Sequence, residues 1–220
     1  MKANVYVLCG GKSVEHEISL KSASAILNAL DKKKYNVYPV FITKEGVWCN
    51  LGLLDKEINN PEELQLESSS TIAYSIGKFL TEDFKEGEKN IIFPALHGTN
   101  GEDGTIQGFL ELMDVPYVGN GVLSSSVAMD KVIMKDLFSK HNIPQTKYTS
   151  IKINPWKEDE EKVYLEIEEK LNYPFYVKPA NSGSSVGINR AENREELKEA
   201  FKEAFLYDTK IVVEEEVIGR

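Results

Sequence analysis

Three stretches of this 220-residue sequence combine glycine with charged or hydroxyl side chains at spacings that suit ligand chemistry. In one, Val177-Lys178-Pro179 leads into Ala180-Asn181-Ser182-Gly183-Ser184-Ser185-Val186-Gly187. Glycines there let backbone N–H groups approach a polyphosphate, Ser184 and Ser185 add hydroxyl donors, and Lys178 adds a compact positive charge. The loop is neither a Walker A sequence nor a GxGxxG turn, and a plain hairpin connection stays open for it. In the second, Leu96-His97-Gly98-Thr99-Asn100-Gly101-Glu102-Asp103-Gly104 follows an apolar run and precedes a helical pattern. That is the crevice at the carboxyl ends of an open α/β sheet, where His97 and two carboxylates would meet a ligand. Glu102 and Asp103 have a second reading, as carboxylates that favour a helix N-terminus through its dipole. The third is Gly10-Gly11-Lys12-Ser13-Val14-Glu15-His16-Glu17-Ile18-Ser19. A helix N-terminus attracts anions, so a carboxylate placed there at Glu15 suits a ligand carrying an ammonium group. Alternatively, Glu15 is an ordinary first-turn residue behind an N-cap at Ser13.

The elements around these loops are legible as alternating units. Apolar, β-rich runs at 5–8, 36–42 and 91–96 read as buried parallel strands, and Ile18, Ala25, Ile26, Ala29 and Leu30 mark a helix between the first two. Strand, helix, strand implies a parallel crossover. Residues 50–88 read as loops with a peripheral hairpin or helix, 105–113 as a helix and 116–119 as a short last strand. From Ser124 the pattern changes: one helix through Met129, Ile133, Leu137 and Phe138 ends at Ile143-Pro144. A strand at 148–151, a helix at 158–171, a strand at 174–178, the serine loop, a helix at 194–206 and a strand at 211–216 follow. The expected organisation is an open parallel-sheet lobe, residues 1–123, and an α+β lobe, residues 124–220.

The formal charge of -9 disfavours nucleic acid and anionic membrane, since a negative field repels both. No run approaches the roughly 20 apolar residues of a membrane span. Cys9 and Cys49 have no metal-ligand or CxxC spacing and read as buried small hydrophobes in a reducing cytoplasm.

In order, the blocks Gly10-Gly11-x-Ser13-x-Glu15-His16-Glu17-x-Ser19, His97-Gly98-x-x-Gly101-Glu102-Asp103-Gly104-x-Ile106-Gln107-Gly108, Met129-Asp130-Lys131, Lys178-Pro179-x-x-x-Gly183-Ser184-Ser185-x-Gly187 and Glu214-x-x-x-x-Gly219 resemble the D-alanine:D-alanine ligase family. The resemblance spans nearly the whole sequence. It implies a Rossmann-like, pre-ATP-grasp lobe followed by the first ATP-grasp subdomain. It further implies ATP-dependent joining of two D-alanines through an acyl phosphate, for peptidoglycan precursors.

By position, the resemblance gives Lys131, Lys178, Ser184 and Ser185 to the ATP phosphates, and Glu214, Glu215 and Val217 to the adenine. Glu15, with Ser184 in the same hydrogen-bonded network, orients the ammonium of the first D-alanine; His97 and Gly98 lie near that substrate. The acidic pair Glu215-Glu216 departs from the lysine or apolar residue that many members carry. The resemblance places the Mg2+ or Mn2+ ligands beyond Arg220, with no metal ligand in these residues, so the 220 residues by themselves are expected not to complete the ligation. It also implies a homodimer through the N-terminal lobe. Ligases forming D-alanyl-D-lactate or D-alanyl-D-serine, and a non-catalytic nucleotide-binding module, are the alternatives.

Overall fold

The first apolar run becomes β1 (Ala3–Gly10), and its alternation sorts side chains into two cores. In the computed structural model, which describes residues 2–84 and 87–219, β1 lies between β2 (Tyr35–Ile42) and β4 (Asn90–Pro94), parallel to both. Val5, Val7 and Cys9 pack with Leu20, Ala23 and Leu27 of α1 (His16–Ala29). On the other face, Tyr6 and Leu8 pack with Ile106 and Leu110 of α3 (Thr105–Leu112). A strand covered on both faces needs no polar alternation, which is why these runs were readable.

Several expectations need correction. The buried stripe of α1 is Ser19, Leu20, Ala23, Ser24 and Leu27, whereas Ile18 is exposed. Residues 50–88 do hold a helix, α2 (Ile72–Lys78), which runs into a π-helical turn, and a 3-10 turn at Pro61–Leu64, while β3 (Trp48–Asn50) at their start pairs antiparallel with β2 and was not expected. Residues 85 and 86 of that stretch lie outside the described residues. The expected strand at 116–119 is a single parallel bridge between Ile92 and Tyr117. Pro116 has no N–H to donate, and Gly119 at φ 139° leaves the extended path, so the ladder cannot grow either way.

The chain divides into two units, Met1–Ser126 and Val127–Arg220, with the division inside α4 (Val122–Met129). The single helix expected through 138 is broken at Asp130. That residue is extended and its carboxylate accepts from the N–H groups of Val132 and Ile133, starting α5 (Lys131–Lys140) afresh. The second unit has an antiparallel sheet of order β5-β8-β6-β7: β5 (Tyr148–Lys152), β8 (Lys210–Glu215), β6 (Phe175–Pro179) and β7 (Asn189–Ala191). Besides α5, the described residues of this unit form α6 (Ile153–Glu158), α7 (Glu160–Lys170) and α8 (Arg194–Ala204). Ile211 and Val213 of β8 join Tyr164, Phe175 and Phe201 in the main core, while Val212 and Glu214 point to the opposite face. No helix among the described residues is long and apolar enough to cross a membrane.

Candidate functional site

In the first unit the three parallel strands end together, and α1 ties the ends of β1 and β4. The buried Ser19 hydroxyl accepts from the N–H of Gly10 at 2.8 Å and donates to the carbonyl of Ala95 at 2.6 Å. Gly10 is required at this point: its φ is 85°, and a Cβ would lie 2.3 Å from the Ile42 carbonyl. His16 is structural, with Nδ1 2.7 Å from the Gly11 carbonyl and its ring edge-on to Phe41.

Glu15 occupies the cap position of α1, and Ser13 is not the N-cap; its hydroxyl accepts from the Glu15 N–H at 3.1 Å. The Glu15 side chain is buried and reaches the loop that follows β4. A Cβ on Gly98, whose φ is 67°, would meet Glu15 Oε2 at 2.3 Å and Ser13 Oγ at 2.6 Å. The first and second glycine loops are therefore in contact at the Glu15 carboxylate. His97 turns elsewhere, sharing a 2.8 Å hydrogen bond between Nε2 and Ser22 Oγ of α1.

The acidic part of the second loop is spent on its own backbone. Glu102 accepts from the Gly98 N–H at 2.7 Å, and Asp103 accepts from the N–H groups of Asn100 and Thr105 at 2.8 and 3.0 Å. The buried Gln107 amide donates to the Gly101 carbonyl at 2.9 Å. Thus Asp103 does serve the start of α3, as the dipole reading allowed, whereas Glu102 shapes the turn. Beside these loops lies a cavity of about 320 Å3, with Ser13, His97 and Asn100 on its polar side and Trp48, Ile76 and Phe109 on its apolar side.

The second unit gathers lysines around Glu214. The β-ladders place Tyr148, Glu214 and Tyr176 in one cross-strand row, so all three share a face. Lys178 Nζ lies 3.2 Å from Glu214 Oε2, and Lys135 Nζ, from α5, 3.5 Å from Oε1. Lys131 turns to the serine loop, donating to the Ser182 carbonyl at 2.5 Å. Burial, followed by repulsion from Lys178, holds the Lys131 ammonium below the usual lysine value, against the pull of Asp208, Glu214 and Asp130. Burial raises the Asp130 carboxyl, but its hydrogen bonds with Lys210 and the α5 N–H groups outweigh this and hold it below the ordinary range.

In the loop itself Ser184 and Ser185 are exposed, with φ 47° and 61°. These consecutive left-handed residues form a tight turn, closed by the Val186 N–H donating to the Gly183 carbonyl at 3.1 Å. Asn181 ties one end of the loop to Asp208 through two 2.8 Å bonds. Glu215 points away from this group and accepts from Asn172, Glu216 pairs with Arg190, and Val217 is exposed beyond β8.

Ser22 and Lys135 are the site neighbours that sequence reasoning passed over, and the capping Asp130 entered it only as part of the Met129-Asp130-Lys131 block. One signal was available for Lys135: it follows Lys131 by four residues, which puts both on one helix face. Among the described residues no group of three or more His, Cys, Asp or Glu could hold a metal ion.

Sequence profiles for the D-ala D-ala ligase N-terminus and C-terminus match residues 4–120 and 137–220. The D-alanine--D-alanine ligase of Geobacillus thermodenitrificans is 49% identical over 227 residues, covering 100% of this chain and 62% of the relative. That of Listeria monocytogenes is 45% identical over 229 residues, with the same two coverages, 100% and 62%. The chain thus spans 62% of the length of these curated relatives. Among solved structures, the D-alanine-D-alanine ligase of Coxiella burnetii superposes with a TM-score of 0.78 at 33% identity, covering 100% of this chain and 65% of that one. The VanG D-Ala:D-Ser ligase of Enterococcus faecalis gives 0.77 at 32%, covering 100% and 64%. With profile matches over both units, the chain belongs to the D-alanine:D-alanine ligase family.

Proposed function

We propose that this chain serves the ATP-dependent ligation of two D-alanines to D-alanyl-D-alanine, a peptidoglycan precursor, in the cytoplasm. The observation that carries the reading is the buried Glu15 carboxylate set against Gly98 at the carboxyl ends of the parallel strands. A carboxylate placed at that crevice is complementary in charge to the ammonium of an amino acid. Glu15 then orients the first D-alanine, with Gly98 as the wall that fixes the carboxylate and His97 near the substrate's own carboxylate.

In the second unit Lys131 and Lys178 hold the ATP phosphates. Their charge offsets what develops as a D-alanine carboxylate oxygen bonds to the γ-phosphorus and the bond to the ADP oxygen breaks. The amine of the second D-alanine next attacks the acyl carbon and expels inorganic phosphate, its proton passing to solvent. Ser184 and Ser185 offer hydroxyl and N–H donors that close over the phosphates. Glu214, with the backbone of 215–217, borders the adenine. Magnesium or manganese, when bound, would offset charge at the phosphates; among the described residues no group of three or more His, Cys, Asp or Glu is gathered to hold it. A homodimer through the first unit is part of the reading, supported by the exposed Leu112, Met113, Val118 and Leu123.

Incubation of the protein, expressed from its complete reading frame, with ATP, magnesium and D-alanine tests this. D-alanyl-D-alanine and phosphate should appear together, in equal amounts. Parallel incubations with D-serine or D-lactate as second substrate separate the two other ligase chemistries. ATP turnover indifferent to D-alanine would defeat the proposal.

A further inference from the structure

We propose that Lys135 is the standing counter-ion of Glu214 and thereby releases Lys178 to engage the phosphates of ATP. The inference rests on the nucleotide reading above and assigns a positioning role to a residue that reading leaves unused.

The charges on this face do not balance in pairs. Glu214 is buried, 8% exposed, with Lys178 on one oxygen and Lys135 on the other. Buried carboxylates persist only when paired, so at least one lysine must stay with it at all times. The two lysines differ in freedom. The Lys135 side chain is 9% exposed and lies over the Tyr148 ring at 4.9 Å. Its backbone carbonyl is tied to the Gln145 amide at 2.7 Å. The Lys178 side chain is 25% exposed, at the end of the strand that opens into the serine loop.

The other charges nearby are already committed. Asp130 is occupied by Lys210 and the first turn of α5, and Asp136 accepts from the Tyr148 hydroxyl at 2.6 Å. Lys131 donates to the serine loop. Two lysines on one carboxylate therefore leave a surplus positive charge, and Lys178 is the lysine able to turn outward. Were Lys135 absent, that turn would strand Glu214 without a cation, so Lys178 would stay where it is.

The test measures equilibrium binding of ATP, tripolyphosphate and adenosine to the protein expressed from its complete reading frame. Lys135→Met should weaken ATP and tripolyphosphate about tenfold or more while adenosine changes by less than about threefold; Lys135→Arg should stay within about threefold for all. The double variant Lys135→Met with Glu214→Gln removes the buried charge itself. It should fold and recover tripolyphosphate binding to within about threefold of the parent. The inference is overturned by unaltered phosphate binding in Lys135→Met, by equal losses of all three ligands, or by a double variant as weak as the single one. Failure of the parent protein to bind either ATP or tripolyphosphate would instead sink the nucleotide reading, and this inference with it.

Discussion

The Glu15 carboxylate rests against the α-carbon of Gly98, so closely that a methyl group there would come within 2.3 Å of Oε2. Two loops more than eighty positions apart in the sequence are thus fitted to each other at the charge proposed to hold the substrate's ammonium.

Gly98→Ala should displace that carboxylate. The left-handed backbone at φ 67° alone costs an alanine about 1–2 kcal/mol, before the contacts with Glu15 and Ser13 are relieved. Stability in urea should fall by at least that amount and the KM for D-alanine should rise, with ATP binding unchanged. A variant with parental stability and KM would show that the two loops are not in contact.

Glu15→Gln keeps the shape and removes the charge. A hydrogen bond to a charged group is worth about 1.5–3 kcal/mol, so D-alanine affinity should drop roughly 10- to 100-fold. Calorimetric titration with D-alanine and, separately, with ATP checks this; equal losses for both ligands would point away from an ammonium site.

Ser19→Ala removes the hydroxyl that joins the ends of β1 and β4. The N–H of Gly10 and the carbonyl of Ala95 would be left unsatisfied in a buried place, each costing about 1–3 kcal/mol. Urea unfolding should register the loss, and Ser19→Thr should recover part of it.

The lowered proton affinity of Lys131 gives ATP binding a pH dependence. Phosphate prefers the charged ammonium, so affinity is full below the depressed value and declines as pH rises through it, earlier than it would for an exposed lysine. Lys131→Arg should flatten the decline, because a guanidinium stays protonated throughout. Identical profiles for the two proteins would remove Lys131 from the phosphate site.

What the sequence revealed follows from how local each signal is. β1, β2 and β4 were visible because continuous apolar runs mark strands covered on both faces. The three-residue strands β3 and β7 are too short to show a period, and the apolar residues Met129 and Ile133 hid the break that Asp130 makes between α4 and α5. Ile18 looked like part of a buried stripe but faces solvent, since the stripe follows Leu20, Ala23 and Leu27. The glycine loops announced Glu15, His97 and Lys178 as residues of interest. Their partners were hidden, because Gly98 against Glu15, Ser22 with His97 and Lys135 on Glu214 are joined by folding alone. Glu102 looked available to a ligand, and it is instead, with Gln107, an internal tie of its loop.

Those internal ties have a consequence for how the loop after β4 can change. Glu102, Asp103 and Gln107 settle its path during folding, so little ordering remains to be done when a ligand arrives. The exposed Thr99 and Asn100 line the adjoining cavity. The loop is a stiff frame with an editable tip, where side-chain identity at 99 can drift and tune what enters the adjoining cavity while the frame beneath keeps its shape.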